Sequence, residues 1–474
     1  MFHDMKRTMS RITSRVSLSV VTLSSTTALA LTTAGVSAAQ DTPEDNSPDA
    51  SGSVLSGETY LPDVENPVFD GEPNTDDSDP FYIPPSELPE ENGELIRSQD
   101  APQLLNMASD DGPGSAEKIL YNTTDENGNN VAASGTVLKP TGEWQGKGPA
   151  PTMVFTPGTR GAGDVCAPSR SSYQLFGFDD GNGAVNLNYE YPFHAAASAM
   201  GMNVVVVDLI GLGTPGQHSY VNHLEEGTAT LDGARAGLDQ LGLPGDSPIG
   251  FYGYSQGGGA SAAAAERAED YAPELNVKGT FAGAPPADLL EVVDSVDDHA
   301  ITGVLGFTLN GALERHPELA SLQDEYFNDK GKQFMADTKD RCIGDAVGRW
   351  GFTDTRTLTK DGRSFGEIAR EDERLSDVLD SYKLASKYDK LNAPMLMVNG
   401  KNDDTIPWEQ ARDAASRYCD AGGDVQFTTD PMPEVLPGYV INHAVPMLSN
   451  AGTAFNYMVD RFNDKPTPNN CGQF

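Results

Sequence analysis

The stretch Ile249-Gly250-Phe251-Tyr252-Gly253-Tyr254-Ser255-Gln256-Gly257-Gly258-Gly259-Ala260-Ser261-Ala262 decides how this 474-residue chain is read. Its first half is apolar and aromatic, its second half is glycine, alanine and serine, and the change falls at Ser255. That is a strand running into a helix through a sharp turn. Gly253-Tyr254-Ser255-Gln256-Gly257 is the G-x-S-x-G arrangement such a turn requires, because the flanking positions must lack bulk and the serine sits strained at the crest. The helix amino terminus beyond it offers backbone N–H groups to a developing oxyanion. In a chain with 49 glycines the bare pattern is weak evidence. The strand before it and the small-residue helix after it make it specific, and a glycine-rich turn with an incidental serine would lack both.

Outward from this motif, short apolar runs alternate with helical stretches. Candidate strands lie at 133–138, 152–155, 204–207, 249–253, 277–282, 395–398 and 425–429. Four consecutive valines at 204–207 read as a strand buried on both faces. Residues 260–272, rich in Ala and Glu, should be helical. The pattern is that of an α/β fold, a mostly parallel sheet with crossover helices. Between 290 and 387 the strand signal vanishes. Ile301, Val304, Leu305, Leu309, Ala312 and Leu313 recur there at helical spacing, which predicts a helical insertion. That amphipathic set needs an apolar partner, and the catalytic edge of the sheet is the nearest.

A nucleophilic serine needs a base and an acid, which on sheets carrying this motif follow it in the order acid, then histidine. Only His299, His316 and His443 lie after Ser255. The first two fall in the helical insertion, where a solvated or capping role is ordinary; His443 falls in a loop after the last candidate strand, where the base belongs. For the acid, the strand at 395–398 runs into Asn399-Gly400-Lys401-Asn402-Asp403-Asp404. A carboxylate just past a strand's carboxyl end can orient the imidazole and stabilise it when protonated. Asp403 is the choice, with Asp404 the obvious rival and Asp288 a lesser one. Gly158-Thr159-Arg160-Gly161-Ala162-Gly163 follows the strand at 152–155, where the second oxyanion donor belongs, and lacks the Lys-Ser/Thr of a phosphate loop. Gly211-Leu212-Gly213-Thr214-Pro215-Gly216 is a literal dinucleotide pattern, but Pro215 and the polar residues after it suit a tight strand-to-helix loop better than a helix start.

Charge and composition exclude other classes. With 32 Lys and Arg against 70 Asp and Glu the formal charge is −38, which repels phosphate backbones and argues against nucleic acid as a partner. Lys6, Arg7, Arg11 and Arg15 precede an apolar stretch at 16–36 that ends in Gly35-Val36-Ser37-Ala38-Ala39. This reads as an export signal cleaved after Ala38 or Ala39, the stretch being too polar for a comfortable membrane span. Residues 41–99 hold sixteen Asp and Glu and one basic residue, Arg97, and should be mostly disordered, with Phe81 and Tyr82 able to dock onto a core. The four cysteines, Cys166, Cys342, Cys419 and Cys471, form no CxxC pair, so a metal site is not expected, and an exported chain should oxidise them into two disulfides. Sequence alone leaves all three pairings open.

Several segments taken together resemble the secretory lipase family, the lipase-A-like branch of the α/β-hydrolases. They are Asp79-Pro80-Phe81-Tyr82, Cys166-Ala167-Pro168-Ser169, the 211–216 and 253–258 glycine segments, Tyr271-Ala272-Pro273-Glu274-Leu275, Gly400-Lys401-Asn402-Asp403 and Asp460-Arg461-Phe462. The resemblance runs from about 79 to 471. It implies an α/β-hydrolase fold with a helical lid, a triacylglycerol lipase or carboxylesterase activity on ester or lipid substrate, and transient contact with a lipid interface. It supports Ser255, Asp403 and His443 as catalytic residues and the Gln256 backbone as an oxyanion donor. A fungal member uses a side-chain acid for the second donor; here Thr159 and Arg160 occupy that region. The resemblance also favours the pairs Cys166–Cys342 and Cys419–Cys471. The organisation expected is a signal at 1–39, an acidic segment at 40–78, a core at 79–289, a lid at 290–387 and the rest of the core at 388–474. No metal or organic cofactor is required. The rival readings are an acyltransferase using the same acyl-enzyme and a non-catalytic lipid-binding protein of the same fold, which would lack one of the three catalytic groups.

Overall fold

A computed structural model describes residues 79–101, 114–171, 176–178 and 185–474. The export signal and the acidic segment at 40–78 lie outside the described residues. The strands are β1 Leu95–Asp100, β2 Ala116–Thr124, β3 Asn130–Leu138, β4 Thr152–Thr156, the short pair β5 Phe176–Phe178 and β6 Val185–Leu187, β7 Asn203–Val207, β8 Pro248–Tyr254, β9 Asn276–Gly283, β10 Met395–Gly400 and β11 Val425–Asp430. Nine of them form one sheet in the order β1-β2-β3-β7-β4-β8-β9-β10-β11. From β7 to β11 every neighbouring pair is parallel, whereas β1, β2, β3 and β7 pair antiparallel. The sheet is mostly parallel, and the fold is that of an α/β-hydrolase.

The four valines of β7 show why the sheet is covered on both sides. Val204 and Val206 pack with Met153, Phe155 and Tyr252 on one face; Val205 and Val207 pack with Val154, Ile249 and Phe251 on the other. The first face is covered by α1 (Tyr191–Ala199) and α13 (Ala451–Phe462), through Phe193, Ala454 and Met458. The second is covered by α2 (His223–Gln240) and α3 (Gln256–Tyr271), whose alanines allow close approach. Each fully buried valine contributes about 1.5–3 kcal/mol relative to exposure, so this alternation fixes the register of the central strand.

Two expectations need correction. Leu95–Gln99 is not disordered: it forms most of the edge strand β1, paired with β2. Further back, Phe81 and Tyr82 are buried, with the Lys118 ammonium over both rings, so ordered structure begins well before β1. The segment at 211–216 is not a tight loop either. Chain from Asp208 onward stays without helix until α2 begins at His223, and Asn222 caps that helix by accepting from Leu224 N and Glu225 N.

Between β9 and β10 come α4 Leu289–Val292, α5 Val304–Arg315, α6 Leu322–Tyr326, α7 Asp329–Thr338, α8 Ile343–Trp350, α9 Phe365–Glu371 and α10 Glu373–Ser381. They share an aromatic core, with Phe327 stacked on Phe365 at 5.0 Å and Phe334 edge-on to Trp350 at 5.2 Å. The base of this layer is fastened to the sheet side by polar contacts. Arg315 grips Glu225 at 2.7 and 3.1 Å, His316 meets Glu126 at 2.8 Å, and the His223 ring donates to Tyr382 O at 2.6 Å. The disulfide Cys166–Cys342 ties α8 to the loop after β4, and Cys419–Cys471 ties α11 (Trp408–Asp420) to the carboxyl-terminal segment. Among the described residues no helix is long and apolar enough to cross a membrane.

Candidate active site

Ser255 stands between β8 and α3 with φ 60° and ψ −126°, a strained conformation for a residue with a side chain. The neighbouring glycines show what the turn demands. A Cβ on Gly253 would lie 2.1 Å from Gly257 O, and one on Gly257 would lie 2.2 Å from Thr156 O. The strand end and the first helical turn are therefore in backbone contact. Ser255 N donates to Gly283 O at 2.8 Å, which fixes the crest against β9.

His443, expected in a loop, lies in the first turn of α12 (Ile441–Ser449), and Tyr254, the residue before the serine, holds that turn. The Tyr254 hydroxyl donates to His443 O at 2.8 Å, and the two rings lie 5.2 Å apart. Tyr254 is the variable position before the serine, so this link is invisible in the motif. Asp403, just beyond β10, has Oδ2 2.8 Å from His443 Nδ1. Its other oxygen accepts from Thr405 N at 3.0 Å and Ile406 N at 2.9 Å, so the carboxylate cannot swing. With a carboxylate as partner, Nδ1 carries the proton and Nε2 keeps its lone pair, the tautomer a general base needs.

Asp404 points elsewhere. Its carboxylate accepts from Gly438 N at 2.7 Å and Asn442 Nδ2 at 3.0 Å, with His299 Nε2 3.9 Å away. Burial pushes its pKa up, but those donors and the imidazole outweigh it and hold the group below the usual carboxylate range. Asp404 thus clasps the loop that leads into His443. Asp288 caps α4 and pairs with Lys383, so neither rival touches the imidazole.

The loop after β4 separates its two candidates. Thr159 lines the cavity beside Ser255 and shares a 2.7 Å hydrogen bond with the Tyr220 hydroxyl. The Arg160 side chain is buried and turned to Asn188 at 2.8 Å and Glu190 at 3.1 Å. Glu190 also accepts from Gly158 N at 3.0 Å, and Tyr189 donates to Thr159 O at 3.2 Å. Arg160 and its neighbours set the path of the loop, and of the two candidates it is Thr159 that lines the cavity.

That cavity encloses about 1040 Å³, its mouth included. Ser255, Gln256 and Thr159 line it together with Leu289, Val304, Leu305 and Leu309 of the helical layer, Phe365 and Leu375 among the others. All five of Ile301, Val304, Leu305, Leu309 and Leu313 line it. Among the described residues no cluster of three or more His, Cys, Asp or Glu could hold a metal ion.

A strained serine at a strand–helix turn, a carboxylate–histidine pair tied to the residue before it and an apolar cavity that the serine lines make up a candidate serine-nucleophile site on an α/β-hydrolase sheet. A family model for secretory lipases matches residues 181–470, and the chain belongs to that family. A protein of Mycobacterium tuberculosis named as a probable inactive lipase is 29% identical over 398 residues, 82% of each chain. A secreted triacylglycerol lipase of Malassezia globosa is 26% identical over 397 residues, 83% of this chain and 82% of that one. Among solved structures, lipase A of Candida antarctica in its closed state superposes with a TM-score of 0.70 at 23% identity, covering 84% of this chain and 88% of the other.

Proposed function

We propose that the chain is an exported serine hydrolase of carboxylic esters, acting on acylglycerols through an acyl-enzyme at Ser255. The carrying observation is the 2.8 Å contact between Asp403 and His443, the latter held through its carbonyl by Tyr254, the residue before the strained serine, which itself lines an apolar cavity. Ser255 Oγ attacks the ester carbonyl as His443 Nε2 takes its proton; the carbonyl carbon becomes tetrahedral and its oxygen negative. The Gln256 N–H and the Thr159 hydroxyl, the latter backed by Tyr220, donate to that oxygen. His443 then protonates the departing alcohol, and water, activated by the same imidazole, releases the fatty acid. One relative is named as inactive and another as a triacylglycerol lipase. Here serine, imidazole and carboxylate are all present, which supports an active enzyme. The basic and apolar leader and the two disulfides support export.

The helical layer at 290–387 acts as the lid in this reading and supplies most of the acyl-binding wall. A fully buried CH₂ contributes about 0.8 kcal/mol, so kcat/KM should climb with chain length until the cavity is filled. Replacing both Val304 and Leu305 by serine should lower kcat/KM for C8–C16 p-nitrophenyl esters by about tenfold or more while changing acetate and butyrate esters by about twofold or less. A panel from C2 to C16 decides this. An equal loss at every length would make the layer a folding support and the enzyme a short-chain esterase.

A further inference from the structure

Gln256 contributes more than a backbone N–H. Its side-chain nitrogen lies 2.9 Å from Glu226 Oε1 and 2.9 Å from His218 Nε2, in a cluster that is buried throughout. An amide NH₂ carries two hydrogens and does not accept, so both contacts are donations. His218 Nε2 must then be unprotonated, its hydrogen being on Nδ1, which donates to Ile210 O at 2.9 Å. Burial pushes that imidazole down to about 4, in agreement. Glu226 Oε1 also accepts from Val221 N at 3.1 Å. Its second oxygen faces His223 Nε2 at 3.9 Å, and His223 holds Tyr382 of the helical layer.

The need for such a clamp follows from the chemistry of the turn. The first residues of a helix have no intrahelical acceptors for their N–H groups, and a serine at the N-cap ordinarily steadies them with its side chain. Ser255 is the N-cap of α3, yet its hydroxyl makes no capping bond. Acylation requires that hydroxyl to be free. An oxyanion donor is nonetheless worth most when its position is fixed before charge develops. We infer that Glu226 and His218 are positioning residues, which by gripping the Gln256 side chain from two sides hold its peptide N–H on the oxyanion. The inference rests on the reading of Ser255 and Gln256 given above.

The charge state suits this role. Burial pushes the Glu226 carboxyl up to about 8, against the donors Gln256 and Val221, which disfavours its charged form. Glu225, next in the chain, is ion-paired to Arg315 and adds no free charge. Because a neutral acceptor suffices, glutamine should replace Glu226 and alanine should not.

The test compares Glu226→Ala, Glu226→Gln and Gln256→Met with wild type and Ser255→Ala. kcat and KM are measured on p-nitrophenyl butyrate, per fluorophosphonate-titrated site except for Ser255→Ala, which is measured per mole of protein, with Ki for an alkyl boronic acid, whose tetrahedral adduct mimics the oxyanion. Losing an oxyanion donor outright costs about 10²–10³ in kcat, so a donor that is only loosened should cost about tenfold. Glu226→Ala and Gln256→Met should therefore lower kcat about tenfold, leave KM within about twofold and raise the boronate Ki in step with the fall in kcat. Glu226→Gln should restore wild-type values. Should Glu226→Ala fail to fold, Gln256→Met, which keeps the volume, carries the test. Wild-type kcat per titrated site in Gln256→Met, a loss confined to KM, or a Glu226→Gln variant as impaired as Glu226→Ala would each overturn the inference. If Ser255→Ala itself hydrolyses the ester, the reading of the active site fails instead.

Discussion

Ser255→Ala and His443→Ala are each expected to lower kcat on p-nitrophenyl esters by at least about 10⁴-fold, and the double variant by no more than either alone. The non-additivity is the informative part. The serine is a weak nucleophile until the imidazole takes its proton, and the imidazole has no task in acylation without the serine. Removing either therefore removes the whole effect. What remains is the contribution of the proposed Gln256 and Thr159 donors and of binding in the cavity. Neither substitution should unfold the protein. Ser255 makes its anchoring contact through its backbone, to Gly283 O, and His443 is held through its carbonyl by Tyr254. Activity losses that multiplied in the double variant would mean that the two residues act at separate steps. Circular dichroism and thermal melting check that the fold survives.

The second large effect separates two adjacent carboxylates. Asp403→Asn should cost about 10²–10⁴ in kcat, whereas Asp404→Asn should cost less than about tenfold. Asparagine at 403 keeps the shape but can present its NH₂ to Nδ1, which favours the wrong imidazole tautomer and leaves an imidazolium without its counter-charge. Asparagine at 404 keeps an oxygen for Gly438 N and Asn442 Nδ2, so the loop clasp largely survives. Steady-state kinetics of the two variants at one pH settles the order. The reverse order would contradict the 2.8 Å contact from Asp403 to His443 as the catalytic one.

How much of this was legible in the sequence depended on whether a feature is local. Each strand read from an apolar run lies within the sheet, with ends shifted by up to three residues, because strands buried on both faces are rich in apolar residues, as β7 and β10 are. β1 and β2 were missed for the converse reason. Leu95–Asp100 is an edge strand of polar composition, Leu-Ile-Arg-Ser-Gln-Asp, and Ala116–Thr124 carries Glu117, Lys118 and Asn122 among its apolar residues. Their strand character comes from pairing, β1 with β2 and β2 with β3, rather than from an apolar run of their own. The glycine segment at 211–216 misled in a similar way: turn residues show that the chain bends but not how far the next helix lies.

At the site, the serine was legible because its turn imposes glycine on its own neighbours. The histidine and the acid were narrowed by chain order, and the choice between Asp403 and Asp404 became a matter of geometry only when the β10 loop was seen to aim one at His443 and the other at Gly438. Nothing local marks Tyr220, Glu190, His218 or Glu226. They reach the site from other elements, and their spacing from Ser255 in the chain carries no period. A polar residue inside an apolar layer, such as Glu226 in α2, was the available signal, since a carboxyl buried there must have a partner.

The measurement that bears most directly on the account is mass-spectrometric mapping of a fluorophosphonate adduct on the purified protein, paired with its rate of ester hydrolysis. The account predicts one adduct per chain, on Ser255, formed in proportion to the loss of hydrolysis and absent in Ser255→Ala. Hydrolysis that persists after Ser255 is fully labelled, or an adduct on another residue that abolishes activity while Ser255 stays free, would contradict it.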